Sequence, residues 1–387
     1  HEYEYNPNND TVFTFKYHKV LINDTEYTYD RIVEYDLNGS LVWELNASTF
    51  ISPEWWCPFY DMHIGGPDIT HSNSIFYDAD EDVIYYNPRN VNTFYKIDHK
   101  TGEVIWGVGE YGDFDLYNAN GSRVENLFYH SHSVERVDDD TFILFDNNHH
   151  NQSAEAKHES RMVEITICED TMTANESWSW KGTEEHWSYL WGDADKLANG
   201  NRLGVFGAAQ RPDSDKGAYL IEVTQNGSIA WQFCFQNSEE YRYGVYRMER
   251  FNFAPILQRI SRDNFTTEEE VILSWNAWYN YRPKKTIPGY YSLSLNGSLI
   301  DSGNFSYDRF WRPSNIAFNL GILEAGFYEF DLEIVDEVGS KTNNTVIVFI
   351  ITPPVPPITP SIPIAIAGVC LFVSVAGYGI RKRRKSE

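Results

Sequence analysis

"TFYKIDHKTGEVIWGV", Thr93 to Val108, reads as a β-hairpin. Its first half alternates apolar and polar side chains, as a strand with one buried face does. Gly102 then offers the backbone freedom of a tight turn, and the second half resumes as a strand carrying Trp106. The same form recurs in "DRIVEYDLNGSLVWEL" (Asp30 to Leu45), "SRMVEITICEDTMTANESWSW" (Ser160 to Trp180) and "AYLIEVTQNGSIAWQF" (Ala218 to Phe233). The aligned tryptophans are Trp43, Trp106, Trp180 and Trp231, at an irregular spacing of 51 to 74 residues.

Upstream of each Trp hairpin lies another. These are "HEYEYNPNNDTVFTF" (His1 to Phe15), "HSNSIFYDADEDVIYY" (His71 to Tyr86), "HSVERVDDDTFILFDN" (His132 to Asn147) and "WGDADKLANGNRLGVFG" (Trp191 to Gly207). Four antiparallel strands per unit, repeated with one Trp each, are the signature of a β-propeller rather than of a sandwich array. The expected fold is all-β, with four visible blades over residues 1–257. "YRYGVYRMERF" (Tyr241 to Phe251) reads as the first strand of a fifth. Whether an N-terminal part of the ring is missing or this strand completes a smaller ring stays open. First strands of blades line the central channel, and three of the four open with His1, His71 and His132. Equivalent strand ends share a rim, so these imidazoles are expected to converge.

Beyond the repeats the pattern changes. Residues 265–351 carry short alternating strands without the Trp form, as in "GYYSLSLNGSLID" and "AGFYEFDLEIVDEVGS", which suit an immunoglobulin or fibronectin type III-like β-sandwich. A Pro-rich stretch, 352–361, reads as a stiff linker. "IPIAIAGVCLFVSVAGYGI", Ile362 to Ile380, has 19 residues without a charge, close to the ~20 that a bilayer-spanning helix needs. Basic residues 381–387 follow, as on a cytoplasmic flank. The expectation is a single-pass cell-membrane protein with its N-terminal domains outside.

Glycosylation sequons support that orientation: Asn9, Asn23, Asn38, Asn46, Asn120, Asn151, Asn175, Asn226, Asn264, Asn296, Asn304 and Asn343 all precede the apolar segment. Sequons with a basic tail fit an archaeal cell surface. Of four cysteines, only Cys57, Cys168 and Cys234 lie outside, so at most one disulfide can form among them. A net charge of −25 argues against nucleic acid, whose phosphates need a basic surface.

The runs "HSNSI…NPRN…YKIDHKTGEVIWGVG" and "HSHS…ILFDNN…SRMVEI" resemble the bacterial and archaeal aryl-sulfate sulfotransferase family, over roughly residues 1 to 255. The resemblance implies an extracytoplasmic β-propeller. It implies transfer of a sulfuryl group from a phenolic sulfate donor to a phenol acceptor through a sulfated histidine, without a nucleotide cofactor. That chemistry needs a nucleophile, fixed cationic donors and an acid for the leaving oxygen. The matching positions are His71 in "HSNSI", His132 in "HSHSV" with His130 as its alternative, Arg89 in "NPRN" and Asn147 in "FDN". His71 and His132 are the expected catalytic pair, with Arg89 as their cation. His130, Asn147, His150 and Arg161 are expected around the substrate. Where the family has Arg after "FDN", this chain has His149 and His150, and Arg161 is the nearest Arg downstream. The family's sulfated histidine lies in a later blade, whereas His186 is the last histidine here.

Two other readings bear on the same residues. His130 and His132 stand one residue apart, so on a strand they face one side as metal ligands can, with His149 and His150 as third donors. No thiolate or firm carboxylate partner is evident in the sequence, so no metal is assigned. A non-catalytic cell-surface binding or adhesion propeller is the alternative to an enzyme.

Overall fold

A computed structural model describes residues 2–57, 67–151, 159–207 and 216–354. Regular structure among them is all β, apart from five short 3-10 turns. The eight hairpins expected from sequence merge pairwise into four antiparallel meanders. Their first strands are Tyr3–Asn6, Ser72–Asp78, His132–Arg136 and Asp193–Lys196, and neighbours in that series touch in succession. The result is a fan of blade-like sheets. Among the described residues it does not close into a ring.

One irregularity repeats in all four sheets. Trp43 opposes Glu34, Trp106 opposes Lys96, Trp178 opposes Glu164 and Trp231 opposes Glu222. Each time the register shifts just after the charged residue, the mark of a β-bulge, which adds one residue and tightens the local twist. The third unit's equivalent is therefore Trp178 and not the expected Trp180, because pairing defines the position. Arg202 confirms its environment by lying 4.4 Å over the Trp178 ring while forking onto Glu164 at 2.7 and 2.8 Å.

Two departures shape the edges. The third sheet gains Asp115–Tyr117 and Arg123–Val124, which cover its outer strand Thr173–Lys181. Among the described residues the outer strand of the fourth sheet, Ile229–Gln236, has no such cover and exposes Ile229, Trp231 and Phe233. Tyr241 to Phe251 forms no strand. Its backbone is held instead by single hydrogen bonds, Val245 N–H to the Gly207 carbonyl (3.0 Å) and Met248 N–H to Asp193 Oδ2 (3.0 Å).

The second unit packs a three-stranded sheet against a five-stranded one around Trp275, Leu293, Leu332 and Val348. It begins ahead of residue 265, since Ile256–Arg259 already pairs with Ile272–Trp278. No helix among the described residues is long and apolar enough to cross a membrane. The expected span 362–380, the tail 381–387 and most of the linker lie outside the described residues, as does His1.

This unit docks on the fan through Arg282 on Glu135 and Asp195, Lys284 on Glu4, Trp311 beside Leu197 and Leu203, and a wedge at Phe310. Phe310 is 2% exposed and joins the core shared by the second and third sheets. Around it Arg309 pairs with Asp78 (3.2 Å) and Asp139 (2.9 Å), and Arg312 with Asp139 (2.8 Å) and Asp138 (3.3 Å). The acidic turn between His132–Arg136 and Thr141–Asp146 thus docks two arginines through Asp138 and Asp139. Truncating Phe310 leaves a cavity beneath these ion pairs. Phe310→Ala is expected to lower stability by about 3–5 kcal/mol in denaturant titration.

Candidate functional site

His132 opens the third first strand and is 3% exposed. Its neighbour Asn147 follows the next strand, Thr141–Asp146. The Asn147 amide nitrogen donates to the carbonyls of Ser188 (2.6 Å) and Trp191 (2.7 Å), which fixes Oδ1 as the acceptor. The 2.6 Å contact with His132 Nδ1 is then N–H to oxygen, so the neutral ring carries its lone pair on Nε2. Burial, followed by the Arg89 charge, holds His132 well below the usual imidazole range. It is a neutral, oriented imidazole.

His71 sits just ahead of the second first strand, in left-handed backbone (φ 43°). Its Nδ1 donates to Asp68 Oδ2 at 2.7 Å, and its amide to Asp68 Oδ1 at 3.2 Å. The fully buried Asp68 thus holds both ring and backbone, and can compensate charge that develops on the imidazole. Asp68 was not anticipated; the only sequence signal is an acid three residues before the histidine in "DITH". Arg89 is buried in the turn Arg89–Val91, donating to Asn90 Oδ1 (2.9 Å) and the Tyr189 carbonyl (3.2 Å). Its charge depresses both His130 and His132, and His71 acts on His132 in the same direction. The three expected catalytic residues therefore share one neighbourhood.

A second cluster adjoins it. His130 is fully buried, with its amide donating to Asn92 Oδ1 (2.9 Å), and its ring lies 4.9 Å from His150 and 5.6 Å from His149. The His149 and His150 rings are 3.7 Å apart. Cys57 Sγ comes within 3.2 Å of His150 Nδ1. Cys57, Cys168 and Cys234 are all unbridged.

The remaining candidates go elsewhere. The Arg161 fork is taken up by Asp146 (2.8 Å), Glu176 (3.0 Å) and the Leu127 carbonyl (2.6 Å). His186 caps a short turn through Thr183 and packs on Tyr219, Phe206 and Trp180. The stretch read as a fifth strand supplies two residues that sequence reasoning missed. Tyr246 stands edge-on to His132 at 6.0 Å, and Arg247 donates to Glu2 Oε1 (2.5 Å) and Ser133 Oγ (2.6 Å). Both line a cavity of about 790 Å³ that runs along Glu4, Ile75 and Glu135 to Lys284 of the second unit. The cavity meets the histidines through Tyr246; His71 and Arg89 do not line it.

Blade-like sheets that bring His71 and His132, at the starts of first strands, beside Arg89 define an all-β protein with an imidazole- and guanidinium-bearing site. The chain belongs to the arylsulfotransferase family, described as Arylsulfotransferase (ASST), which matches residues 1–247. No curated protein matches. Among solved structures, the CARDB domain of a Pyrococcus furiosus protein is 13% identical, covering 27% of this chain and 95% of that one at a TM-score of 0.21. The extracellular domain of a one component system from B. thetaiotaomicron is 13% identical over 92% of this chain and 36% of that one, TM-score 0.24. That of a hybrid two component system from the same organism is 10% identical over 86% and 49%, TM-score 0.27. These likenesses are too distant to define the fold.

Glu2, on the cavity wall, gives a pH test. Burial pushes its carboxyl up to about 7 despite Arg247. An unfolded Glu releases its proton near 4.5, so between those values the folded chain holds the extra proton. The stabilising contribution is complete below the lower value and is lost as pH rises through the higher. Thermal unfolding from about pH 5 to about pH 8 should show a loss on the order of 3 kcal/mol, which Glu2→Gln removes.

Proposed function

We propose that the protein is a membrane-anchored, extracellular aryl-sulfate sulfotransferase with His132 as its nucleophile. The observation that carries this is the Asn147 amide, which fixes the His132 tautomer with the Nε2 lone pair available beside the Arg89 charge. Nε2 attacks the sulfur of a phenolic sulfate, the N–S bond forms as the S–O bond to the phenol breaks, and charge is conserved. His71, as imidazolium held by Asp68, hands a proton to the departing phenolate. The neutral His71 then takes the proton of the acceptor phenol, whose oxygen attacks sulfur and releases His132. Arg89 supplies positive charge for the sulfuryl oxygens.

The outer placement is supported by the sequons, since ten of the twelve asparagines are exposed and only Asn46 and Asn151 are half-buried. The apolar segment 362–380 is the proposed anchor.

The test uses the full chain in detergent, with 4-nitrophenyl sulfate as donor and phenol as acceptor. Nitrophenol release and a sulfuryl adduct on intact mass are expected. His132→Gln should abolish both, and Asn147→Leu should lower kcat by about 100-fold or more with KM little changed. Adduct formation that survives His132→Gln moves the nucleophile elsewhere. A well-folded chain with neither release nor adduct would leave the non-catalytic surface-binding reading in its place.

A further inference from the structure

Cys57, His130 and His150 arrive from three separate segments: the loop after the turn Pro53–Trp55, the approach to His132–Arg136, and the chain beyond Thr141–Asp146. One donor atom of each lies within 4.8 Å of the other two. Around a tetrahedral ion bound at Zn–N and Zn–S lengths of about 2.0–2.3 Å, neighbouring donors stand about 3.3–3.6 Å apart. The Cys57 Sγ to His150 Nδ1 separation, 3.2 Å, is already close to that edge. Cys57 and His150 are thus nearly at ligand spacing, with a His130 donor within 4.8 Å of both.

Two further features describe this cluster. His130 and His150 both hold left-handed backbone, φ 54° and φ 62°. That conformation is uncommon outside glycine and persists only where surrounding structure over-determines it. The donors are also chemically matched, one thiolate former and two imidazoles, the set preferred by Zn2+ and Cu(I) and not by Ca2+ or Mg2+. A buried Cys beside a buried His is often just a packed, weakly hydrogen-bonded pair. Here a second imidazole completes a triangle around one point.

We propose that Cys57, His130 and His150 bind a thiophilic transition-metal ion of the Zn2+ type, the fourth position going to a further ligand from the protein or from solution. The site is independent of sulfuryl transfer. It needs neither His71 nor an aryl sulfate, so its failure and the failure of the enzyme reading are separate results. It would also remove His150 from the substrate and make it a clamp that joins the first connecting loop to the third sheet.

The full chain in detergent, stripped with chelator, is titrated with Co2+ and Zn2+. One Co2+ per chain is expected, with a thiolate-to-metal charge-transfer absorption that disappears in Cys57→Ser. His150→Gln should weaken binding by more than about 100-fold, beyond the roughly 10–100-fold known for outer-shell changes. Metal-free melting curves check that both variants are folded. In the unaltered chain, Zn2+ should slow alkylation of Cys57 while leaving exposed Cys168 reactive. Alkylation of Cys57 at the same rate with and without Zn2+ overturns the proposal, as does a charge-transfer band that persists in Cys57→Ser.

Discussion

A guanidinium can be buried only where its charge and its donors are met, and Arg247 is met from three sides. Glu2 lies ahead of the first sheet, Ser133 is in the third and Asp193 begins the fourth, with Arg247 Nε 3.6 Å from Asp193. These contacts raise its proton affinity above even the ordinary arginine range, against the pull of burial. Asp193 in turn accepts from Ser133 and from the Met248 amide. One irregular segment, Tyr241 to Phe251, therefore ties together the inner ends of sheets that share no backbone ladder. Removing the Arg247 charge leaves the buried Asp193 without its cation, which costs about 3–5 kcal/mol in comparable networks. Tyr246 reaches His132 only because its neighbour is held this way.

The proposed chemistry depends on the same kind of inter-sheet grip. The carbonyls that set the Asn147 amide belong to Ser188 and Trp191, on the approach to the fourth sheet. Gly192 follows at φ 140°, and a Cβ there would meet the Phe145 ring at 2.1 Å. Glycine is thus required for the Trp191 carbonyl to come so close to the third sheet. The His132 tautomer is a consequence of packing between units as much as of its own neighbours in sequence.

Much of this was legible in the chain. The hairpins showed because period-two alternation and Gly turns are local signals, and His71 and His132 showed because strand starts recur. The Trp180 assignment failed because a bulge adds a residue that spacing cannot reveal. Arg161 looked close to the site along the sequence, but strand register aims it at Asp146 and Glu176. Asp68, Cys57 and Arg247 come from connecting segments whose paths are set by tertiary contacts, so no periodicity marks them. Tyr241 to Phe251 has the alternation of a strand, yet its amides are met singly, by a side chain and a distant carbonyl.

The uncovered strand Ile229–Gln236 has a consequence of a different kind. An edge bearing Ile229, Trp231 and Phe233 on view is a template on which a neighbouring molecule can lay a strand of its own. Asn226, exposed in the turn that feeds this strand, carries a sequon. A glycan at that asparagine would stand beside this edge. Such a sugar would do for the fourth sheet what Asp115–Tyr117 does for the third, and without it the edge would be prone to stacking on another.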